Sequence, residues 1–142
     1  MLELRAPGDE AELEAALALR ERVFCGEQGV SPEADRDGRD PEALHVVAVE
    51  HGHVVGTCRL LMEEETARLG RMAVDRGARG KGLGAALLAE AERRATEAGA
   101  RRVMLHAQER ARSLYARGGY QPVGEPFMEE GLPHIAMEKT LA

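Results

Sequence analysis

The fold of this chain follows from one stretch near its middle, Val74-Asp75-Arg76-Gly77-Ala78-Arg79-Gly80-Lys81-Gly82-Leu83-Gly84-Ala85-Ala86-Leu87-Leu88. An apolar strand ends here, a basic glycine-rich loop follows, and a helix rich in alanine and leucine begins inside the loop. Glycines at alternate positions expose backbone N–H groups where the positive end of a helix dipole lies. The stretch therefore predicts a site for a phosphate or pyrophosphate group.

Three phosphate-binding patterns compete for this loop. The Walker A pattern fails because Gly82 stands where a magnesium-binding hydroxyl is required. The glycine spacing satisfies the Rossmann pattern. However, the strand that follows the loop ends in His106, where the Rossmann pattern requires an acidic residue to hold a ribose. The pattern R-x-x-G-x-G is met by Arg79, Gly82 and Gly84. A plain tight turn is the alternative for a glycine cluster at a helix start.

Length and cysteine content bound the class of protein. The 142 residues predict a single domain, residues 1–142, that buries its own core. No apolar run approaches the roughly 18 residues that a membrane span needs, and no signal-peptide pattern is visible, so we expect a cytoplasmic protein. Cys25 and Cys58 lack C-x-x-C spacing, which argues for a reducing compartment and against a zinc site.

The net charge limits the kinds of partner that the protein can bind. The net charge of −6 disfavours general binding to nucleic acid, whereas a basic loop on an acidic protein suits a small anionic cofactor. We therefore expect no nucleic-acid partner, no membrane partner and no bound metal. The sequence leaves a monomer and a homodimer open.

The spacing of apolar residues predicts an α/β fold. Asp9 with Glu12 forms a capping-box-like pair at the start of the first helix. Gly, Pro and Asp between residues 26 and 41 predict a loop. A helix at 83–98 between two strands implies a parallel crossover within a mixed sheet of about six or seven strands, flanked by helices. We predict strands at residues 2–5, 43–50, 53–62, 67–74, 101–105, 120–124 and 132–139, and a short helix at 109–117.

The glycine loop resembles the pyrophosphate loop of the GCN5-related N-acetyltransferases, the GNAT superfamily. Gly70-Arg71-Met72-Ala73-Val74 looks like the strand that precedes this loop in the family. The segment Ala111-Arg112-Ser113-Leu114-Tyr115-Ala116-Arg117-Gly118-Gly119-Tyr120 resembles the family element A-x-x-x-Y-x-x-x-G-[FY]. Residues 103–108 lie where the family splays two parallel strands apart to admit pantetheine. The order of elements matches the GNAT fold over nearly the whole chain.

A narrower resemblance, to the ElaA-like acetyltransferases, involves both halves of the chain. In the N-terminal half it rests on residues 19–24, Glu27-Gln28, Asp37, Asp40 and His45. In the C-terminal half it rests on residues 106–108, 124–127 and 130–137.

The GNAT resemblance implies an acetyl-CoA-dependent enzyme. A primary amine of a small molecule or peptide would attack the acetyl thioester directly, with acetyl-CoA as co-substrate. A non-catalytic acyl-CoA-binding sensor is the alternative, and a nucleotide-binding protein is a third possibility. The residues implied in cofactor binding are Met72, Ala73, Val74, Arg79, Gly80, Lys81, Gly82, Leu83, Gly84 and Ala85.

Several side chains are candidates for the chemistry that this reaction needs. Tyr115 falls on the tyrosine that can protonate the departing thiolate, and the N–H of Met72 could polarise the thioester carbonyl. The base is open among His106, His134 and Glu27, with Glu130 next, and a water chain is also possible. We expect three residues on or after the first helix to shape the acceptor pocket, namely Arg20, Phe24 and Gln28.

Overall fold

A computed structural model describes all residues, 1–142, and contains one mixed sheet of seven strands. The spatial order is β1-β2-β3-β4-β5-β7-β6, and only β4 and β5 run parallel. This confirms the predicted α/β class and the parallel crossover in mid-chain. The strands are β1 (Leu2–Arg5), β2 (Leu44–Glu50), β3 (His53–Glu63), β4 (Thr66–Val74), β5 (Arg102–Gln108), β6 (Gln121–Glu129) and β7 (Leu132–Thr140).

Four α-helices flank the sheet. They are α1 (Glu10–Arg20), α2 (Pro32–Asp35), α3 (Leu83–Glu97) and α4 (Arg112–Arg117). The predicted cap of α1 is present, because the Asp9 carboxylate accepts the N–H of Glu12 at 2.9 Å. At its end α1 widens into a π-helical segment, Glu21–Glu27, a geometry that is frequent at functional sites.

The two faces of the sheet are covered by different helices. On one face α3 contributes Leu87, Leu88 and Ala91 to a core that includes Leu60 and Val103. On the other face α1 packs against alternate residues of the same strands, as the pleat of a sheet requires. Helix α3 packs tightly over Gly56 in β3, where an added Cβ would lie 3.0 Å from Leu87 Cδ1. This contact fixes the height of α3, and hence of the loop before it, above the sheet.

Two sequence predictions about local structure were wrong. The stretch predicted as a loop, 26–41, contains the end of the π-helical segment, helix α2 and a short 3₁₀ turn, Asp40–Glu42. Helix α2 begins as a capped turn, because Ser31 Oγ accepts the N–H of Ala34 at 3.1 Å and Pro32 stands at the first helical position. Polar contacts rather than an apolar stripe stabilise it, so hydrophobic periodicity gave no signal.

The second error concerns β6. The sequence predicted its end at Gly124, but pairing with β7 continues to Glu129. The register shifts between Val123 and Phe127, around a glycine with φ +78°. This irregularity carries the strand past a glycine and a proline that would otherwise end it.

Candidate active site

The main irregularity of the sheet is a gap between β4 and β5. The two strands pair in parallel over residues 66–69 and 102–105, and the pairing then ends although both strands continue. β5 stays paired with β7 and β4 stays paired with β3 up to their ends. The edge of β4 at residues 70–74 and the edge of β5 at residues 106–108 therefore face each other without pairing, as the resemblance to the GNAT fold implied.

Strand β4 bulges where the gap opens. The register with β3 shifts here, and Arg71 has φ +54°, in the left-handed region. A non-glycine residue in this region costs about 1–2 kcal/mol, so its surroundings must hold it in place. The Arg71 guanidinium donates to the carbonyl oxygens of Ala34 at 3.0 Å and of Asp35 at 3.3 Å. The bulge next to Met72 is thereby tied to α2.

A cavity of about 990 Å³ occupies the gap. Tyr115 and Ala111 line it from the face that α3 covers, and Val23 and Phe24 line it from the face that α1 covers. Because residues from both faces of the sheet line this one cavity, the cavity passes through the sheet and connects its two faces. Two ligands can therefore meet in the gap from opposite sides.

The glycine loop presents a row of unused backbone donors. Gly80 and Gly82 have φ of +79° and +80°, and Gly82 caps α3, which begins at Leu83 as predicted. The N–H groups of residues 80–85 make no hydrogen bond within the protein, and the first backbone bond is from Ala86 to Gly82, at 3.1 Å. Six consecutive donors at a helix N-terminus form a cradle for a bound anion. The exposed side chain of Lys81 adds a cation beside it.

Arg79 and Gly84 act differently from the rest of the loop. Arg79 Nε donates to the Val74 carbonyl at 2.9 Å, and its Nη2 lies 2.8 Å from a Glu27 carboxylate oxygen. The guanidinium thus ties the loop to the end of β4 and to the π-helical segment. At Gly84 an added Cβ would lie 3.3 Å from Leu114 Cδ2, so glycine there allows α4 to approach.

Tyr115 reaches the gap from α4. Its side chain is 8% exposed, and its hydroxyl points at Met72 Sδ, 3.8 Å away. Burial raises the pKa of Tyr115 to about 12. The ring meets that of Tyr120 edge-on, with centroids 6.0 Å apart. The structure therefore places a fully protonated phenol beside the β4 bulge.

Two of the candidate bases lie together at the other side of the gap. His106 Nδ1 is 2.9 Å from Glu129 Oε1, and His134 Nε2 is 3.8 Å from the second oxygen of the same carboxylate. His134 Nδ1 is 2.8 Å from the Leu132 carbonyl, which accepts only from a protonated nitrogen. The Phe127 ring contacts both imidazoles, at centroid distances of 5.0 and 6.0 Å.

Glu129 also lines the cavity, and it was not among the residues that the sequence analysis named. It is separated from His106 by 23 positions, and the strand order β5-β7-β6 brings the two together. The signal that could have found it is the hairpin register, in which Phe127 faces His134 and Glu129 follows two residues later on the same side. Glu130 also lines the cavity, from the exposed turn of this hairpin.

The acceptor-pocket candidates divide into two groups. Phe24 and Gln28 line the cavity, and Gln28 Oε1 accepts from Gln108 Nε2 of β5 at 2.8 Å. Arg20 does not line it, because its side chain is 1% exposed and donates to Asp35 Oδ1 at 3.2 Å and to Asp40 Oδ1 at 2.7 Å. The expectation that Arg20 shapes the pocket is therefore wrong, and its role is to hold α1 to the segment before β2.

Two further observations concern membranes and metals. No helix in the chain has both the length and the apolar character that crossing a membrane requires. No group of three or more His, Cys, Asp or Glu side chains is arranged to hold a metal ion.

Known proteins share this architecture. A family model described as an acetyltransferase (GNAT) domain matches residues 9–141. The uncharacterised N-acetyltransferase YjcF of Bacillus subtilis is 33% identical over 132 residues, which are 92% of this chain and 94% of YjcF. An acyl-CoA N-acyltransferase structure from Pseudomonas aeruginosa has a TM-score of 0.85 at 32% identity, over 99% of both chains. Escherichia coli ElaA has a TM-score of 0.85 at 28% identity, over 98% of both chains.

Proposed function

This chain belongs to the GNAT acetyltransferase family, and we propose on that premise that it transfers an acetyl group from acetyl-CoA to a primary amine. The observation that carries the proposal is the row of free N–H groups at residues 80–85, next to a gap that crosses the sheet. The row suits the pyrophosphate of CoA, and the gap suits its pantetheine arm. The amine would enter the same gap from the face that α1 covers.

Donor binding uses main-chain groups almost throughout. The pyrophosphate takes the N–H groups of residues 80–85, while Arg79 keeps the loop in register with the end of β4. The free edge of residues 72–74 provides backbone groups for the pantetheine amides. We assign the oxyanion donor to the N–H of Met72, at the bulge that Arg71 fixes.

We assign the base to His106, oriented by Glu129. His106 stands at the first position of β5 beyond the paired region, and its side chain is on the face that α1 covers. With Nδ1–H donated to Glu129, Nε2 carries the lone pair. The amine nitrogen attacks the carbonyl carbon, Nε2 takes the amine proton, and the carbon–sulfur bond breaks to release the CoA thiolate.

Tyr115 stabilises the leaving thiolate. An ordinary thiol has a pKa of about 8.5, so full proton transfer from a phenol of pKa about 12 is uphill by about 5 kcal/mol. A hydrogen bond from the phenol to the developing thiolate carries no such penalty. Tyr115 therefore acts as a hydrogen-bond donor, and the thiolate is protonated by hydronium or buffer in the solvent after CoA leaves the site.

Titration calorimetry tests the donor assignment. Acetyl-CoA and CoA should bind to the wild-type protein, and ATP and NAD should not bind measurably. Tight binding of ATP or NAD without a response to CoA would favour the nucleotide-binding alternative. An acyl-CoA sensor would bind acetyl-CoA in the same way but would release no thiol when an amine is added.

The cellular setting is also part of the proposal. Both cysteines are free, and the thiol of Cys58 is buried with its pKa raised by desolvation, which suits a reducing cytoplasm. We further propose that the chain belongs with the ElaA-like proteins, since the matched residues in both halves include Gln28, Gln108 and His134 at the cavity.

A further inference from the structure

One wall of the cavity is rich in arginine. It is formed by β3, β4 and the segment after α2, and its cavity-lining cations are Arg39, Arg59, Arg68 and Arg71. Four of the carboxylates that pair with them do not line the cavity, namely Asp37, Asp40, Glu42 and Glu63, and the fifth, Asp35, lies 3.6 Å from Arg71 and lines the cavity with a side chain only 1% exposed. The surface that a ligand meets on this wall is therefore cationic, although the wall as a whole is neutralised.

Two of these arginines have guanidinium N–H groups that no acceptor in the protein occupies. Arg68 is 43% exposed and makes a single ion pair, from Nε to Glu63 at 3.3 Å. Arg39 is 42% exposed and reaches the same glutamate with Nη1 at 3.6 Å. The two terminal nitrogens of Arg68 and Nη2 of Arg39 have no acceptor within the protein. A guanidinium with free terminal nitrogens matches a carboxylate or phosphate in two-pronged geometry.

The wall across the gap has the opposite character. It is formed by β5, β7 and the turn of the β6–β7 hairpin, and it presents His106, Glu129, Glu130 and His134 to the cavity. No cavity-lining residue of this wall is an arginine, counting along β5 as far as Gln108. The acceptor side of the cavity is thus polarised, with hydrogen-bond donors for an anion on one wall and a carboxylate with imidazoles on the other.

We propose that the acceptor is a primary amine that also carries a carboxylate or phosphate group. This inference rests on the proposed acetyl transfer. The anionic group lies against Arg68 and Arg39, and the amine lies against His106 and Glu129, next to the site of attack. A diamine or an aminoglycoside fits less well, because its second cation would face the arginine wall.

Matched pairs of acceptors test this assignment. Glycine, β-alanine and γ-aminobutyrate are each compared with their own carboxamide, and 2-aminoethyl phosphate is compared with ethanolamine and ethylenediamine. In at least one pair the anionic acceptor should have a kcat/KM about tenfold or more above its neutral partner, mainly through KM. The carboxylate and phosphate arms show which anion the wall prefers. Neutral partners and ethylenediamine that react as well as the anionic acceptors would overturn the proposal.

A variant of the wall gives the second readout. Arg68→Gln should remove the preference by lowering kcat/KM for the anionic acceptor about tenfold or more, while the value for its neutral partner stays the same. Arg93→Gln on α3, 55% exposed and paired with Glu90, should leave the preference unchanged. A preference that survives Arg68→Gln would contradict the assignment.

Binding without turnover separates this inference from the proposed reaction. Calorimetry with 2-aminoethyl phosphate and γ-aminobutyrate is performed on the wild-type protein and on Arg68→Gln. Binding that requires Arg68, in a protein that acetylates no amine, would uphold the anion site and reject the transfer reaction. Acetylation of neutral amines without any anion binding would uphold the reaction and reject the anion site.

Discussion

Arg20 lies wholly inside the protein, where its guanidinium joins α1 to the segment before β2. It contacts Asp35 and Asp40, and Asp35 Oδ2 has no hydrogen-bond partner even with Arg20 in place. Arg20→Ala would leave two carboxylates without their main counter-charge. We expect a loss of about 3–5 kcal/mol in the free energy of unfolding, measured by urea denaturation.

The exposed Arg93 provides the control for this loss. Arg93 pairs with Glu90 and Glu97 on the surface of α3, so Arg93→Ala should cost no more than about 1 kcal/mol. Equal losses in the two variants would show that the buried cluster has no special structural role.

The role of Tyr115 in catalysis can be tested by removing its hydroxyl oxygen. Tyr115→Phe should lower kcat about 10- to 100-fold, since it removes a hydrogen bond to a developing charge, and should leave acetyl-CoA affinity nearly unchanged. The matched control is Tyr120→Phe, because the Tyr120 hydroxyl donates to Glu92 at 2.9 Å, away from the gap. Steady-state kinetics and calorimetry on both variants provide the readout. An unchanged kcat in Tyr115→Phe would remove Tyr115 from the reaction.

At the residue scale the sequence predicted groups that lie in short motifs. The glycine loop and Tyr115 belong to such motifs; Tyr115 lines the cavity, and the loop forms the N-terminus of α3. Glu129 and the pairing of Arg20 with Asp35 depend on contacts between residues 23 and 15 positions apart. A single sequence contains no local pattern for such contacts, and this is why Arg20 was assigned to the pocket.

The N-terminus of α3 is the element on which donor binding depends. Gly82→Glu would place a carboxylate beside the free N–H groups, and we expect the calorimetric binding of CoA to be abolished. Gly52→Glu is the matched control, because both glycines have φ near +80° and open space around them. Both variants should lose about 1–2 kcal/mol of stability from backbone strain, but only Gly82→Glu should lose CoA binding. Equal CoA binding in the two variants would contradict the pyrophosphate cradle.

The helices and strands, like the residues, divide into those that the sequence predicted and those that it did not. Helix α3 and the end of β4 were predicted correctly, because hydrophobic periodicity and glycine positions mark them in the sequence. Helix α2 was not predicted, because it is held by Ser31 at its start and by Arg20 and Arg71 from outside. The extension of β6 to Glu129 likewise depends on its partner strand and not on its own composition.

For the whole molecule, the buried arginine–aspartate cluster predicts sensitivity to acid. Hydrogen bonds from Arg59 hold the pKa of Asp37 well below its usual range. Burial pushes the pKa of Asp40 upwards, but Arg20 and Arg59 outweigh it and keep the pKa low. Such carboxylates stabilise the fold fully above the unfolded pKa of about 3.9, and this stabilisation is lost as the pH falls towards the folded pKa.

Urea unfolding of wild type and Asp37→Asn between pH 7 and pH 3 measures this effect. Asp37→Asn should be the less stable protein at pH 7, and the difference should narrow below about pH 4, where the Asp37 carboxylate of the unfolded chain begins to be protonated while that of the folded protein stays charged. A difference that stays constant across this range would show that the charge of Asp37 contributes nothing to stability.

Release of the CoA thiol by wild-type protein, with acetyl-CoA and a panel of primary amines, is the most direct test of the proposed reaction. The amino acids, aminoalkyl phosphates and short peptides of the panel supply acceptors, and mass spectrometry identifies the products. We predict amine-dependent thiol release with one acetyl group found on an amine for each thiol released. Acetyl-CoA binding without amine-dependent thiol release for any member of the panel would contradict the account.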